Sequence, residues 1–403
     1  MNHASENDTL PKGCEILIIG GGAYGLSSAW FLASKYPGKD IVVVDASDFA
    51  GNGTGRCIGG FRTQWGHESN IRMCLESVDF FEKAKEILSY PQGIELKQEG
   101  YLLLAWDEEN LERFRTCQIA QHAHGVKSRM LSREEVLRIS PKVNRDGLLG
   151  GAICERDGTV SPFRLLDALL KGVRREGVRV KFGCSVRSLE HRGDTFKVST
   201  SHGQISAKKV VVCTDWAAPD LVSQLGLTVP VDRLPVEIMV TEAAPRMLGP
   251  IHISMQHGMA INQMPRGSIV VNHGRARQKS DDISNQPDWF AKACRGACEV
   301  VPALADLNVL RGWAGTISVT PDMQPIIDEL DVPGLYVAIS AYKGLMTAPA
   351  AGRLISDLVA GTAQHDPMAK YVALSRFESG DLIREPMTNG AKVATAEVAT
   401  VEA

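Results

Sequence analysis

Six residues near the N-terminus, Gly20-Gly21-Gly22-Ala23-Tyr24-Gly25, have the types and spacing to hold a dinucleotide pyrophosphate. Gly20 permits a tight turn, Gly22 lets backbone approach a phosphate, and Gly25 lets a helix and a strand pack closely. A helix opening at such a turn offers free N–H groups and the positive end of its dipole. Asp45, followed by Ala46 and Ser47, stands twenty residues after Gly25 and can accept hydrogen bonds from ribose hydroxyls. In a chain with 38 glycines the spacing alone is an easy accident, so its setting decides. A second glycine-rich run, Gly51 to Gly60, contains Gly55, Arg56, Gly59 and Gly60, and Arg62 follows it closely. Arginine's planar fork suits phosphate or carboxylate. No Ser-His-Asp order and no zinc-type ligand spacing accompany these groups, so no metal is expected.

The setting comes from periodicity. Ile16-Leu17-Ile18-Ile19 is short, β-branched and glycine-bounded, as a strand buried on both faces should be. The spacing predicts a helix from Ala23 to about Tyr36, stopped by Pro37-Gly38, and a second buried strand over 41–44. That strand runs straight into the second glycine loop instead of another β-α repeat. Such a loop can wrap a second phosphate and a ribityl chain, which points to FAD rather than NAD. Further helices are predicted over 69–88, 108–123, 132–139, 162–176 and 348–360, with Ser132 and Glu135 forming a capping box. Strands are predicted over 101–105, 178–182, 196–200, 209–213, 237–241, 269–271 and 336–339.

Helices alternate with strands of parallel type at both ends, and the middle is strand-rich. The expected fold class is α/β: a discontinuous Rossmann-type FAD-binding domain, of glutathione-reductase-like fold, with a mixed-sheet substrate lobe. Residues 13–75, 150–222 and 322–375 are assigned to the FAD domain, and 76–149 and 223–321 to the lobe. Residues 1–12 read as a flexible start. The polar segment 376–403 reads as a flexible or partner-bound tail.

A net charge of −3 leaves no basic footprint, which argues against nucleic acid as a main partner. The nine cysteines are odd in number and follow no disulfide framework, which fits a reducing cytoplasm. Cys294 and Cys298 are expected to share a helix face. The polar first dozen residues are not a secretory signal, and no run reaches the roughly 18 apolar residues of a spanning helix.

Several blocks, in order, are similar to the FAD-dependent D-amino-acid oxidase superfamily, in its glycine oxidase and sarcosine oxidase branch. They are Asp157-Gly158-Thr159-Val160-Ser161-Pro162, then Val210 to Ala217, and Val229-Pro230-Val231 leading into Glu237 to Glu242. Trp313-Ala314-Gly315-Thr316, Thr320 to Ile327, and Ser340 to Pro349 complete the set. The resemblance spans residues 13 to 370. It implies that Val186, Thr214, Trp216, Gly315, Lys343, Gly344, Leu345, Met346 and Thr347 join the two glycine runs around FAD. A helix starting near Thr347 would aim its N-terminus at the flavin N1 and C2 carbonyl, with Lys343 adding positive charge.

The resemblance also implies roles on the substrate side. Arg62 matches in placement the carboxylate-binding arginine of sarcosine oxidase. His257, Met259 and Asn262 fall where family members face the flavin, and His257 would position an amine. Trp65 and Trp313 are read as packing residues. Three departures stand out: Tyr342-Lys343-Gly344 replaces the family's Gly-His-Gly, Ile317 occupies the position of the glycine-oxidase arginine, and no cysteine follows Cys298. The last implies non-covalent FAD.

The implied reaction is oxidation of an amino acid or secondary amine, of proline, hydroxyproline, sarcosine or opine type. Hydride passes to flavin N5 and the resulting imine hydrolyses. The chain resembles the β-type catalytic subunits of heteromeric sarcosine oxidase, proline or hydroxyproline dehydrogenase and opine oxidase. A second flavoprotein and a ferredoxin-like subunit are therefore expected partners. The alternatives are a free-standing oxidase that uses oxygen, or a flavin-binding relay subunit without its own substrate.

Overall fold

The computed structural model describes residues 10–274 and 282–388. Two eight-stranded sheets organise them. In the first, the strand Gly13–Ile19 lies parallel between Gly203–Val212 and Ile41–Val44. Arg179–Lys181 extends that sheet beyond Ile41–Val44, and Leu335–Ile339 with Ile326–Glu329 extends it on the other side. The hairpin Val186–Arg192 and Thr195–Thr200 continues antiparallel from Gly203–Val212.

Both faces of this sheet are covered, which is why its strands read as unbroken apolar runs. Ile16, Ile18, Ile41 and Val43 pack under the helices Ala23–Lys35, Pro162–Arg175 and Gly344–Ala360. Leu17, Ile19, Val42 and Val44 face the hairpin side with Leu189, Phe196 and Val198. The period-2 alternation of strands thus feeds two separate cores.

The second sheet runs Val309–Val319, Asp232–Ala243, Ser268–His273, Met259–Gln263, Ile251–Ser254, Tyr101–Ala105, Gly150–Cys154 and Arg129–Ser132. Met259, Ile261, Ile269 and Val271 point to the helix Pro287–Val300, which carries Cys294 and Cys298. Ile253 and Ala260 point the other way, into the space between the sheets.

Two features differ from the expected domain edges. The strand Gly150–Cys154 pairs with Tyr101–Ala105, so it belongs to the second sheet and not to the nucleotide-binding one. The helix Glu68–Ile87 lies on Gly344–Ala360, where the Ala350 N–H donates to Ser77 Oγ at 3.3 Å and Arg353 pairs with Glu76 at 2.5 Å. Its apolar stripe of Met73, Val78, Phe80, Phe81 and Ala84 joins the core of the first sheet.

Residues 376–388, which their polarity reads as tail, are packed. Arg376 forms an ion pair with Asp322 at 2.8 Å, both side chains almost fully buried. Glu385 and Met387 are also buried. These contacts are made to residues far away in sequence, so local composition carries no trace of them. Residues 1–9 and 389–403 lie outside the described residues.

Candidate active site

A cavity of about 610 Å³ lies where the first sheet's strand ends meet the inner face of the second sheet. In open α/β sheets, ligands settle beyond the carboxyl ends of the strands. Every residue named above for the cofactor borders this cavity except Gly25 and Thr347, which stand directly behind it.

One end of the cavity is made of backbone. A Cβ on Gly25 would stand 1.8 Å from the Gly20 carbonyl, and a Cβ on Gly20 would stand 2.3 Å from that of Cys213. Both glycines are therefore demanded by the protein itself. Gly22 is different: a Cβ there meets only Thr54 Oγ1, at 3.4 Å. No protein atom requires glycine at 22, whereas a phosphate lying against the turn does. The second loop closes on the first, because the Ala23 N–H donates to Thr54 Oγ1 at 3.2 Å.

Asp45 sits at the second strand's end. One oxygen accepts from the Gly21 N–H at 2.6 Å, the other from the Ser47 N–H and hydroxyl at 2.7 and 2.6 Å. Each carboxylate oxygen has more than one lone pair, so acceptor capacity remains for ribose hydroxyls. Thr214 Oγ1, which also borders the cavity, is buried without a hydrogen-bond partner. Native structures seldom leave such an atom unpaired, so it marks a place for a bound polar group. The glycine cradle, Asp45 and Thr214 together fit FAD.

Arg56 does not reach this phosphate end. Its Nε donates to the Gly51 carbonyl at 3.2 Å and an Nη to the Ala314 carbonyl at 2.9 Å. Trp313 Nε1 returns a bond to the Arg56 carbonyl at 2.9 Å. The side chain thereby ties the second glycine loop to the second sheet beside Gly315.

The other end is made of buried side chains. Arg62 is 4% exposed, borders the cavity, and donates to the Met387 carbonyl at 2.6 Å. Its guanidinium stacks 3.8 Å from the Trp65 ring centre. Among the described residues no carboxylate pairs with it. Lys343 is fully buried, 5.3 Å from the same ring, and donates to the Met323 carbonyl and, at 3.2 Å, to Gln324 Oε1. Desolvation pushes its pKa down to about 8, partly opposed by Glu385, which leaves a cation at neutral pH. Trp65 is thus an aromatic partner for two cations, not packing alone.

The helix over the cavity begins at Gly344 with Lys343 as its N-cap, one turn before the expected Thr347. A proline just inside a helix start favours the later position, since Pro349 lacks a donor. The Thr347 N–H and hydroxyl both donate to the Lys343 carbonyl, at 3.2 and 2.9 Å, and close the earlier turn. Gly344, Leu345 and Met346 are therefore the free first turn that faces the cavity. Tyr24, whose hydroxyl lies 2.8 Å from Thr347 Oγ1, joins this helix to the nucleotide-binding one.

Backbone strain gathers here. Among the described residues seven non-glycine residues have positive φ; of these Ala50, Asp215, Met323 and Tyr342 border the cavity and Ala341 adjoins it. Asp215 is held at φ 53° by three donors, the Ser318 hydroxyl at 2.7 Å and the Ser340 N–H and hydroxyl at 2.9 and 2.8 Å. Strained conformations persist where surrounding bonds over-determine them, and they cluster at functional sites.

His257 does not border the cavity. Its Nδ1 lies 2.7 Å from Ser254 Oγ and its ring meets Trp106 edge-on at 5.0 Å, on the side facing the helix Pro287–Val300. Burial lowers its pKa. Met259 is buried on that side too. Asn262 shares a sheet face with Ala260 but contacts Met264 and does not border the cavity. In their place the second sheet offers Tyr101, Ile253, Ala260 and Asn272. Tyr101 carries no motif. Its one sequence signal is Gly60, where a Cβ would stand 1.9 Å from the Tyr101 hydroxyl.

A strand–turn–helix nucleotide cradle facing a second mixed sheet across one cavity defines a two-domain flavoenzyme of the FAD-dependent oxidoreductase class. Residues 15–358 match the family described as FAD dependent oxidoreductase, DAO, and the chain belongs to it. The chain is 22% identical to the beta subunit of sarcosine oxidase from Rhodobacter capsulatus over 388 residues, 94% of this chain and 92% of that one. It is 28% identical to the B subunit of opine oxidase from Rhizobium meliloti over 364 residues, 85% of this chain and 95% of that one. The crystal structure of L-proline dehydrogenase from P. horikoshii superposes with a TM-score of 0.88 at 26% identity, covering 93% and 100% of the two chains. The protein is an FAD-dependent oxidoreductase. None of its described helices is long and apolar enough to cross a membrane.

Proposed function

We propose that the protein oxidises N-substituted α-amino acids of the proline, hydroxyproline, sarcosine or opine kind at the carbon–nitrogen bond. The observation that carries this reading is Arg62: a buried guanidinium on the cavity wall with four N–H donors beyond its bond to Met387 and no described carboxylate partner. A substrate carboxylate completes it. Bound FAD supplies the two-electron acceptor.

The remaining wall fits an amine with an apolar body. Ile317, Leu234, Val236 and Ile253 border the cavity and give it an apolar wall. Ile317 is apolar where an arginine would compete for the carboxylate, so Arg62 is left as the anchor. Burial raises the Tyr101 pKa, which keeps its hydroxyl protonated, an uncharged group that can hydrogen-bond the substrate. The relatives support the substrate class, since their names specify sarcosine, opines and L-proline.

We also read FAD as held non-covalently. Burial pushes the thiols of Cys57 and Cys213, both on the cavity wall, up to about 11 and 12, so neither is a thiolate at neutral pH. Acid precipitation should release the flavin into the supernatant. The sarcosine and opine oxidase relatives are each named as one component of a larger enzyme, which supports a heteromeric assembly; we place it in the cytoplasm and read a second flavoprotein and a ferredoxin-like subunit as its other members. Affinity-tagged chain should co-purify both from its own host.

The deciding experiment is anaerobic mixing of the purified flavoprotein with a panel of N-substituted amino acids. At least one should bleach the flavin absorbance. If none does, the proposed substrate class is wrong.

A further inference from the structure

We infer that the C-terminal strap, residues 383–388, is a working part of the substrate site, with Glu385 as the positioning residue that sets Arg62. The inference rests on the reading of Arg62 as the carboxylate anchor.

Glu385 makes four hydrogen bonds, two to each oxygen. Oε1 accepts from the Gly66 and Met387 N–H groups, each at 2.8 Å. Oε2 accepts from the His67 N–H at 3.0 Å and Asn70 Nδ2 at 2.8 Å. The Met387 residue gripped in this way is the one whose carbonyl receives Arg62 at 2.6 Å. Glu385 and the guanidinium are therefore one residue apart in a hydrogen-bonded chain.

The loop that carries Arg62 is held at its other side by a second buried carboxylate. Asp157 accepts from the Thr63 N–H at 2.7 Å, its hydroxyl at 2.6 Å, and Gln64 Nε2 at 3.1 Å. Charge-assisted bonds of this kind are short and directional. Gripped at both ends, the loop can present Arg62 in a single orientation, which is what recognition of a carboxylate fork requires.

The strap is also seated against bare backbone. A Cβ on Gly66 would stand 2.3 Å from Pro386 Cγ and 2.9 Å from Cys117 Sγ. Thr388, the next residue beyond Met387, borders the cavity itself. A segment that served only as a tether would not need to line the cavity wall that carries Arg62.

The test uses the full FAD-loaded chain, the best acid from the panel, and the primary amide of that acid. Glu385→Ala should raise KM for the acid about tenfold while kcat stays within about twofold. The amide's KM should not move, and the effect should vanish in an Arg62→Ala background. Gly66→Ala, which displaces Pro386 and leaves the carboxylate intact, should reproduce the acid-selective rise. If either variant fails to fold, the other decides. An effect equal on acid and amide, or one that adds in full to Arg62→Ala, overturns the inference. If Arg62→Ala itself treats acid and amide alike, the anchor reading fails first. An acid-selective Arg62→Ala beside an unselective Glu385→Ala defeats the strap alone.

Discussion

The two ends of the cavity are built from different materials. The phosphate end is backbone: glycines whose missing side chains admit a neighbouring carbonyl, and N–H groups at a helix start. The substrate end is buried charge: Arg62, Lys343, Asp157 and Glu385, each held by distant segments. A backbone cradle tolerates no added atom, while a charge cluster is sensitive to the loss of any partner. The first end is therefore broken by steric additions and the second by deletions.

The largest expected effect follows from the steric side. Gly25→Ala forces its Cβ against the Gly20 carbonyl, and should destabilise by about 3 kcal/mol or more and yield no soluble flavoprotein. Gly22→Ala is the sharper half of the pair. Its Cβ meets no protein atom closer than 3.4 Å, so thermal stability of the apoprotein should be unchanged while FAD retention is lost. Equal melting temperatures of the two variants would break the distinction between glycines the fold needs and glycines the ligand needs.

The second effect probes a buried pair behind the substrate end. Asp322 and Arg376 are almost fully buried, and Arg376 also donates to the Gln324 carbonyl at 3.1 Å. Asp322→Asn leaves an uncompensated guanidinium and should lower stability by about 3–5 kcal/mol in denaturant unfolding. Asp322→Leu with Arg376→Met, which removes both charges, should recover much of that loss. A single variant as stable as wild type would show that the pair is solvated.

Legibility divides along the same line. The Gly20 turn, Asp45 and the strand Gly13–Ile19 are readable because each signal lies within one short segment. The Ser132–Glu135 capping box forms as the spacing predicts, for the same reason. The strand Met259–Gln263 gives neither an apolar run nor clean alternation, because Gln263 is buried to bond the loops at Ala244, Pro245 and Gly267. Without its register to check against, the family resemblance alone puts His257 and Met259 toward the flavin, whereas neither borders the cavity. Arg62 is found by its place after the second glycine loop. Glu385 is not, because three of its four donors lie more than 300 residues away and its neighbours read as a polar tail.

On the deletion side, Arg62→Lys keeps the charge but loses the planar fork. The variant should retain FAD and lose about a hundredfold in kcat/KM for the carboxylate substrate, about 3 kcal/mol. Bleaching by the amide analogue should be little changed. A loss shared equally by acid and amide would mean that Arg62 shapes the cavity without anchoring the carboxylate.

The smallest effect is a pH dependence at Lys343. Burial holds its pKa near 8, below the ordinary 10.5 of an unfolded chain. The native state therefore releases this proton first, and between those two values the unfolded chain binds more protons. Stability attributable to Lys343 thus rises with pH across that window and is lowest at neutrality, where the charge is buried. Function runs the opposite way, because deprotonation above pH 8 removes a cation from the cavity. The ratio of wild-type to Lys343→Met kcat/KM should fall about tenfold from pH 7 to pH 9.5, with the substrate amine's own titration cancelling in the ratio. Over the same range the thermal stability of wild type should gain on that of Lys343→Met. A ratio that stays flat while the stability difference moves would mean that Lys343 supports the helix start at Gly344 without acting on the substrate end.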